Sequence, residues 1–123
     1  MADKPLILLI EDELSIAKII EFKLTRNNFR FEHRDNGKYG LDAVYELNPD
    51  IVILDVMLPT MNGFEVLRRI REDEEIKDTK VIMLTSKARV EDIKAGFDLA
   101  ANDYMEKPFK PDELIMRIRR ILN

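Results

Sequence analysis

The chain has 123 residues, 20 Lys and Arg against 24 Asp and Glu, a net charge of −4 and 46% hydrophobic side chains, which suits one ordinary soluble domain and argues against disorder. It has no cysteine and only one histidine, which excludes a disulfide framework, a thiolate zinc site, a cysteine nucleophile and a multi-histidine metal centre. The longest apolar run, Leu6 to Ile10, is too short for a signal-peptide core or a membrane span, so a cytoplasmic domain without membrane contact is expected.

Along the chain the hydrophobic period switches repeatedly. Leu6–Ile10 is apolar throughout and runs into Glu11, Asp12 and Glu13. Leu14, Ile16, Ile20 and Leu24 then fall at helical spacing, and Asn27-Asn28 ends that helix. Phe29–Glu32 is a weakly alternating strand candidate. Asn36-Gly37 signals a turn, and Tyr39, Leu41, Val44 and Leu47 predict a second helix. Ile51–Leu54 is another apolar run, ending in Asp55. After the loop signals Leu58-Pro59 and Asn62-Gly63, Phe64, Leu67 and Ile70 space as a third helix that dissolves into charge. Val81–Leu84 ends at Thr85-Ser86. Val90, Ile93 and Phe97 predict a fourth helix, Tyr104-Met105 a short fifth strand, and Pro111 to Leu122 a last helix with Asp112 and Glu113 in its first turn.

Five strands thus alternate with five helices. Strands that are apolar throughout are covered on both faces, as in a parallel sheet inside an α/β sandwich. No repeat, linker or low-complexity tract interrupts the pattern, so residues 1–123 read as one domain.

The strand ends carry chemistry. The first strand ends in Glu11 and Asp12, the third in Asp55, the fourth in Thr85, and the fifth near Lys107. Open parallel sheets build sites beyond the carboxyl ends of their strands, so these residues should converge on one edge. Three clustered carboxylates cannot all stay ionised without a cation. An oxygen-only ligand set suits Mg2+, which keeps waters and leaves room for a phosphate, while a lysine supplies a point charge for the same phosphate. Thr85 can donate to a phosphoryl oxygen, and a carboxylate in such a setting can become an aspartyl phosphate. The constellation therefore reads as Mg2+-assisted phosphoryl transfer onto Asp55. Charge supports the same reading. Residues 1–60 hold 7 basic and 11 acidic side chains, whereas the remainder holds 13 of each. No uniformly basic face exists, which argues against direct nucleic-acid binding.

Four segments carry a family resemblance: Ile7-Leu8-Leu9-Ile10-Glu11-Asp12-Glu13, Asp55-Val56-Met57-Leu58-Pro59-Thr60-Met61-Asn62-Gly63, Met83-Leu84-Thr85-Ser86 and Asp103-Tyr104-Met105-Glu106-Lys107-Pro108-Phe109. Together, in this order, they resemble the response-regulator receiver domain of two-component signalling over essentially the whole chain. The resemblance implies a doubly wound, flavodoxin-like fold with a parallel five-stranded sheet in order 2-1-3-4-5. It implies that Asp55 is the phosphoacceptor, with Asp12 and Asp55 on Mg2+, Glu11 acting through water, and the Met57 backbone carbonyl as a further ligand. Thr85 resembles the hydroxyl that moves to the phosphoryl group, Lys107 the lysine that pairs with it, and Lys107-Pro108 a cis peptide. Tyr104 resembles the aromatic switch residue.

The implied activity is acceptance of a phosphoryl group from a sensor histidine kinase or phosphotransfer protein, followed by a change in the surface of the fourth helix, fifth strand and fifth helix. Such a domain catalyses its own phosphorylation and dephosphorylation but is not a turnover enzyme. Ser15, Ile19 and Phe22 of the first helix are the expected docking residues. Ala100 stands where the family usually has glycine, so a different loop geometry is expected there, and Asn102 replaces a common aspartate.

Each residue has a plainer alternative. Asp55 could cap a strand, Glu11 and Asp12 could form a solvated turn, and Thr85 could cap a helix. Lys107 could be a surface lysine, and Tyr104 a half-buried aromatic with a wet hydroxyl. His33 is read as a partly exposed strand residue without a role. The basic last helix is either a solvated face or a phosphorylation-promoted homodimer face, the latter because Asp98, Asp103, Glu113, Arg117 and Arg119 resemble pairing positions of the winged-helix subfamily. Ile93 and Asn102 break that pattern. Of three other functional classes, a phosphorylation-independent interaction module has no need of the complete residue set, and a dehalogenase-type phosphohydrolase wants an acid–base aspartate where Met57 stands. A flavodoxin-like cofactor binder would have its phosphate repelled by Glu11-Asp12-Glu13.

Overall fold

The structure, a computed structural model, describes residues 4–86, 94 and 99–123. Its elements run β1 (Leu6–Ile10), α1 (Leu14–Arg26), β2 (Arg30–Arg34), α2 (Gly37–Leu47), β3 (Ile51–Asp55), α3 (Gly63–Glu72), β4 (Lys80–Thr85), β5 (Asp103–Glu106) and α4 (Pro111–Leu122). The helix expected through Val90, Ile93 and Phe97 lies outside the described residues. All strand pairs are parallel, in order β2-β1-β3-β4-β5, as expected.

The two-faced burial follows from the sequence. In β1, Ile7 and Leu9 enter one core with Ala17, Ile20 and Leu24 of α1 and Leu114, Ile115 and Ile118 of α4. Leu8 and Ile10 point the other way and pack with Leu41 and Val44 of α2 and Val66, Leu67 and Ile70 of α3. A strand alternates its side chains between faces, so a run such as Leu6–Ile10 must be apolar at every position to serve both. Every residue of β1 and β3 is buried. No helix among the described residues is long and apolar enough to cross a membrane.

Several strand bounds differ from expectation, and the fourth strand runs Lys80–Thr85 rather than Val81–Leu84. The second strand is Arg30–Arg34 rather than Phe29–Glu32. Asn28 turns left-handed at φ 66°, and the Phe29 amide closes back onto the Leu24 carbonyl at 3.1 Å, so Phe29 ends the helical turn and drops into the core. The fifth strand extends by one residue on each side, to Asp103–Glu106.

Side-chain caps fix two helix starts near the site. Asn36 accepts from the Tyr39 amide at 2.9 Å and Asn62 from the Glu65 amide at 3.0 Å. At Ala100 the backbone is left-handed, φ 62°, which is the region glycine favours. Alanine has therefore not moved the turn out of that region. The turn is tied down by Arg71, whose guanidinium donates to the carbonyls of Ala100, Lys77 and Thr79 and to the Asn102 side-chain oxygen at 2.6–3.0 Å.

Candidate functional site

Glu11, Asp12, Asp55, Thr85 and Lys107 do converge at the carboxyl ends of β1, β3, β4 and β5. Glu11 follows β1 directly, and its amide donates to the Arg34 carbonyl of β2 at 3.0 Å. Asp55 is the last residue of β3, 3% exposed. Glycine at 63 lets α3 start against it, because a Cβ there would lie 2.1 Å from the Asp55 carbonyl oxygen. The Lys107 amide donates to the Thr85 carbonyl at 2.6 Å and the Lys107–Pro108 peptide is cis, as expected.

Lys107 Nζ reaches Glu11 Oε1 at 2.6 Å and Asp55 Oδ2 at 3.1 Å. Glu11 is fully buried. Asp12 is exposed, and one carboxylate oxygen from each of Glu11, Asp12 and Asp55 lies within 4.8 Å of the others. Burial and then the neighbouring Asp55 carboxylate push the Glu11 carboxyl up to about 7, against the pull of Lys107. Burial works against the Lys107 ammonium, but the Glu11 hydrogen bond and the Asp55 and Glu11 charges outweigh it and raise its pKa. Three carboxylates facing one ammonium leave an excess of negative charge and an oxygen-only donor set. That chemistry fits a hard divalent cation.

The other predicted residues fall around this centre. Thr85 is buried at the end of β4. Met57 is exposed in the loop after β3, and its amide donates to Asp55 Oδ1 at 3.2 Å. Tyr104 pairs with Met83 across β4 and β5, half-buried against the core of α2 and α3, with its hydroxyl shielded from solvent. Thr85 lies two residues beyond Met83, so Thr85 and Tyr104 face the same side of the sheet. An apolar groove of about 410 Å3 opens beside Lys107, lined by Ile16, Ile19, Pro108 and Phe109 among others.

One neighbour of the site has no part in the sequence reading. His33 Nε2 lies 2.7 Å from the Glu11 carbonyl oxygen. Its only sequence signal is that the lone histidine stands at the end of a strand paired with the one that delivers Glu11.

A profile of the response regulator receiver domain matches residues 7–119. The chain belongs to the response regulator receiver family. Among similar proteins, the response regulator ArlR of Staphylococcus haemolyticus is 40% identical over 116 residues, covering 94% of this chain and 52% of that protein. ArlR of Staphylococcus epidermidis is 42% identical with the same coverage. This receiver therefore spans about half the length of the curated relatives it matches.

Solved receivers superimpose closely. The Francisella response regulator 1452 receiver domain gives a TM-score of 0.89 at 30% identity, covering 96% of each chain. The chemotaxis response regulator CheY4 of Vibrio cholerae gives 0.89 at 27% identity, covering 96% of this chain and 98% of that one. Phosphoryl acceptance in two-component signalling is the function of this family, and the receiver's acidic cluster is one that could bind a metal.

Proposed function

We propose that Asp55 is the phosphoacceptor and that Glu11, Asp12, Asp55 and the Met57 carbonyl hold Mg2+. The observation that carries this reading is Lys107 Nζ touching both Glu11 and Asp55, with the Asp12 carboxylate beside them. An Asp55 carboxylate oxygen attacks phosphorus of a donor phosphohistidine. The P–N bond breaks, and its electron pair leaves with the imidazole, which takes up a proton from water. Lys107 orients Asp55 and then pairs with a phosphoryl oxygen in place of Glu11. The Mg2+ that these ligands would hold would supply positive charge to offset that of the carboxylates and the incoming phosphoryl group. The domain promotes its own phosphorylation and hydrolysis without turning over an external substrate.

The switch is assigned to Thr85 and Tyr104. Thr85 donates to the phosphoryl group, and Tyr104 follows on the same sheet face, biasing the surface of β5 and α4 as a population shift. The donor is a histidine kinase or phosphotransfer protein of the cytoplasm. It docks along α1, where Ile19 and Phe22 are 54% and 62% exposed beside the apolar groove.

The charged face of α4 carries a network of ion pairs and hydrogen bonds. Asp103 pairs with Arg117 at 2.8 Å and Arg120 at 3.1 Å, Glu113 with Arg117, and Arg119 bonds Asn27, all within one chain. Asp98 and Ile93 lie outside the described residues. A phosphorylation-promoted homodimer would have to exchange these pairs across a two-fold axis.

Incubation with acetyl phosphate and Mg2+ tests the reading by intact mass. A gain of one phosphoryl group is expected, and none when Mg2+ is chelated before the donor is added. No gain in the presence of Mg2+ overturns it.

A further inference from the structure

Asp12 presents a problem of aim. It is exposed, and its carboxylate has no hydrogen bond or ion pair among the described residues. Its direction therefore depends on the backbone that delivers it. The Glu11 amide is held by the Arg34 carbonyl, which fixes the peptide before Glu11. The planar peptide from Glu11 to Asp12 sets where Asp12 leaves the strand, and its carbonyl meets His33.

A carbonyl oxygen only accepts, so the His33 ring donates through Nε2–H at 2.7 Å. Neutral imidazole with its proton on Nε2 and imidazolium both supply that donor, so the contact is not a pH switch. The ring is itself braced. It stacks on Phe31 at 6.5 Å with an interplanar angle of 24°, and Phe31 packs against the core beneath α1. By contrast, the other local contact, Glu13 amide to Glu11 Oε2, is long at 3.3 Å and holds the side chain rather than the peptide.

The geometry points to His33 as a positioning residue for the acidic site. Its Nε2–H fixes the peptide from Glu11 to Asp12 and so aims the Asp12 carboxylate at the position shared with Glu11 and Asp55, an inference that rests on the metal-site reading above. It acts as the outer partners of metal sites do, by orienting a ligand it does not replace.

The test is Mg2+ affinity by titration calorimetry on the wild type, H33L and H33Q, with the Asp12 amide followed by NMR in EDTA. H33L should bind Mg2+ about tenfold more weakly, at the low end for loss of an outer partner, and should shift the Asp12 amide. H33Q, whose amide nitrogen reaches the place of Nε2, should restore both. If H33L does not fold, H33N takes its place, polar but too short to reach the carbonyl. Wild-type affinity in H33L or H33N overturns the inference, as does an H33Q variant as weak as H33L. A wild type that takes up no Mg2+ overturns the metal-site reading instead. The Asp12 amide then decides alone, and an unmoved signal in H33L overturns the role of His33.

Discussion

Lys107 lies closer to Glu11 than to Asp55, at 2.6 Å against 3.1 Å, although 96 residues separate Lys107 from Glu11 in the chain. The lysine expected to serve a phosphoryl group is thus held first by a fully buried carboxylate. Removing Lys107 leaves the buried Glu11 and Asp55 carboxyls without their counter-charge, which is costly, whereas removing Glu11 leaves Lys107 paired with Asp55.

The pair has a consequence for pH. Glu11 holds its proton up to about 7 in the fold, against 4.5 for an ordinary glutamate. Between those values the folded chain keeps a proton that the unfolded chain has released, so stability falls as pH rises through the window. Urea unfolding in EDTA at its two ends should show the wild type losing stability and E11Q lacking that slope. Equal slopes in the two proteins contradict the assignment. Asp73, Glu65 and Asp112 are shifted down, by Tyr45, by Arg68 and Arg69, and by Lys23 respectively, and titrate below the window.

Gly63 governs how close α3 comes to the site. A methyl group there would sit 2.1 Å from the Asp55 carbonyl oxygen and 2.9 Å from the Val56 Cα. Because backbone cannot yield as a side-chain tip can, G63A should cost roughly 1–3 kcal/mol, as overpacking does. It should also slow phosphorylation at Asp55. An unchanged urea midpoint would show that the helix start can move freely.

Ala100 stands in the left-handed region at φ 62°. Relief of its Cβ, offset by the greater freedom of unfolded glycine, should make A100G more stable by about 0.5–1 kcal/mol. A lower melting temperature for A100G would mean that the alanine methyl contributes packing that outweighs the strain.

Arg71 is half-buried and serves four oxygens from two segments, none of them a carboxylate. Burial lowers its pKa. A lysine has one compact ammonium and cannot span that fan, so R71K should lose roughly 1–2 kcal/mol. Denaturant unfolding checks this, and R71K at wild-type stability would show that the contacts are replaceable by water.

The apolar runs Leu6–Ile10 and Ile51–Leu54 made the central strands legible, because strands buried on both faces tolerate no polar residue until they end. The same rule puts Glu11, Asp12 and Asp55 at one edge of the sheet. The edge strand Arg30–Arg34 was harder to place, since half-exposed side chains carry little periodic signal and a left-handed Asn28 decides where it starts. The contact of His33 with Glu11 was invisible because it depends on the register between β1 and β2. The preference of Lys107 for Glu11 depends on how the loop after β5 turns, which no spacing encodes.

On the reading proposed above, one carboxylate, Asp55, takes the phosphoryl group. Intact mass after acetyl phosphate and Mg2+ treatment of the wild type and of D55N tests it most directly. A single phosphoryl group is expected on the wild type and none on D55N. A phosphoryl group carried in equal yield by D55N would contradict it.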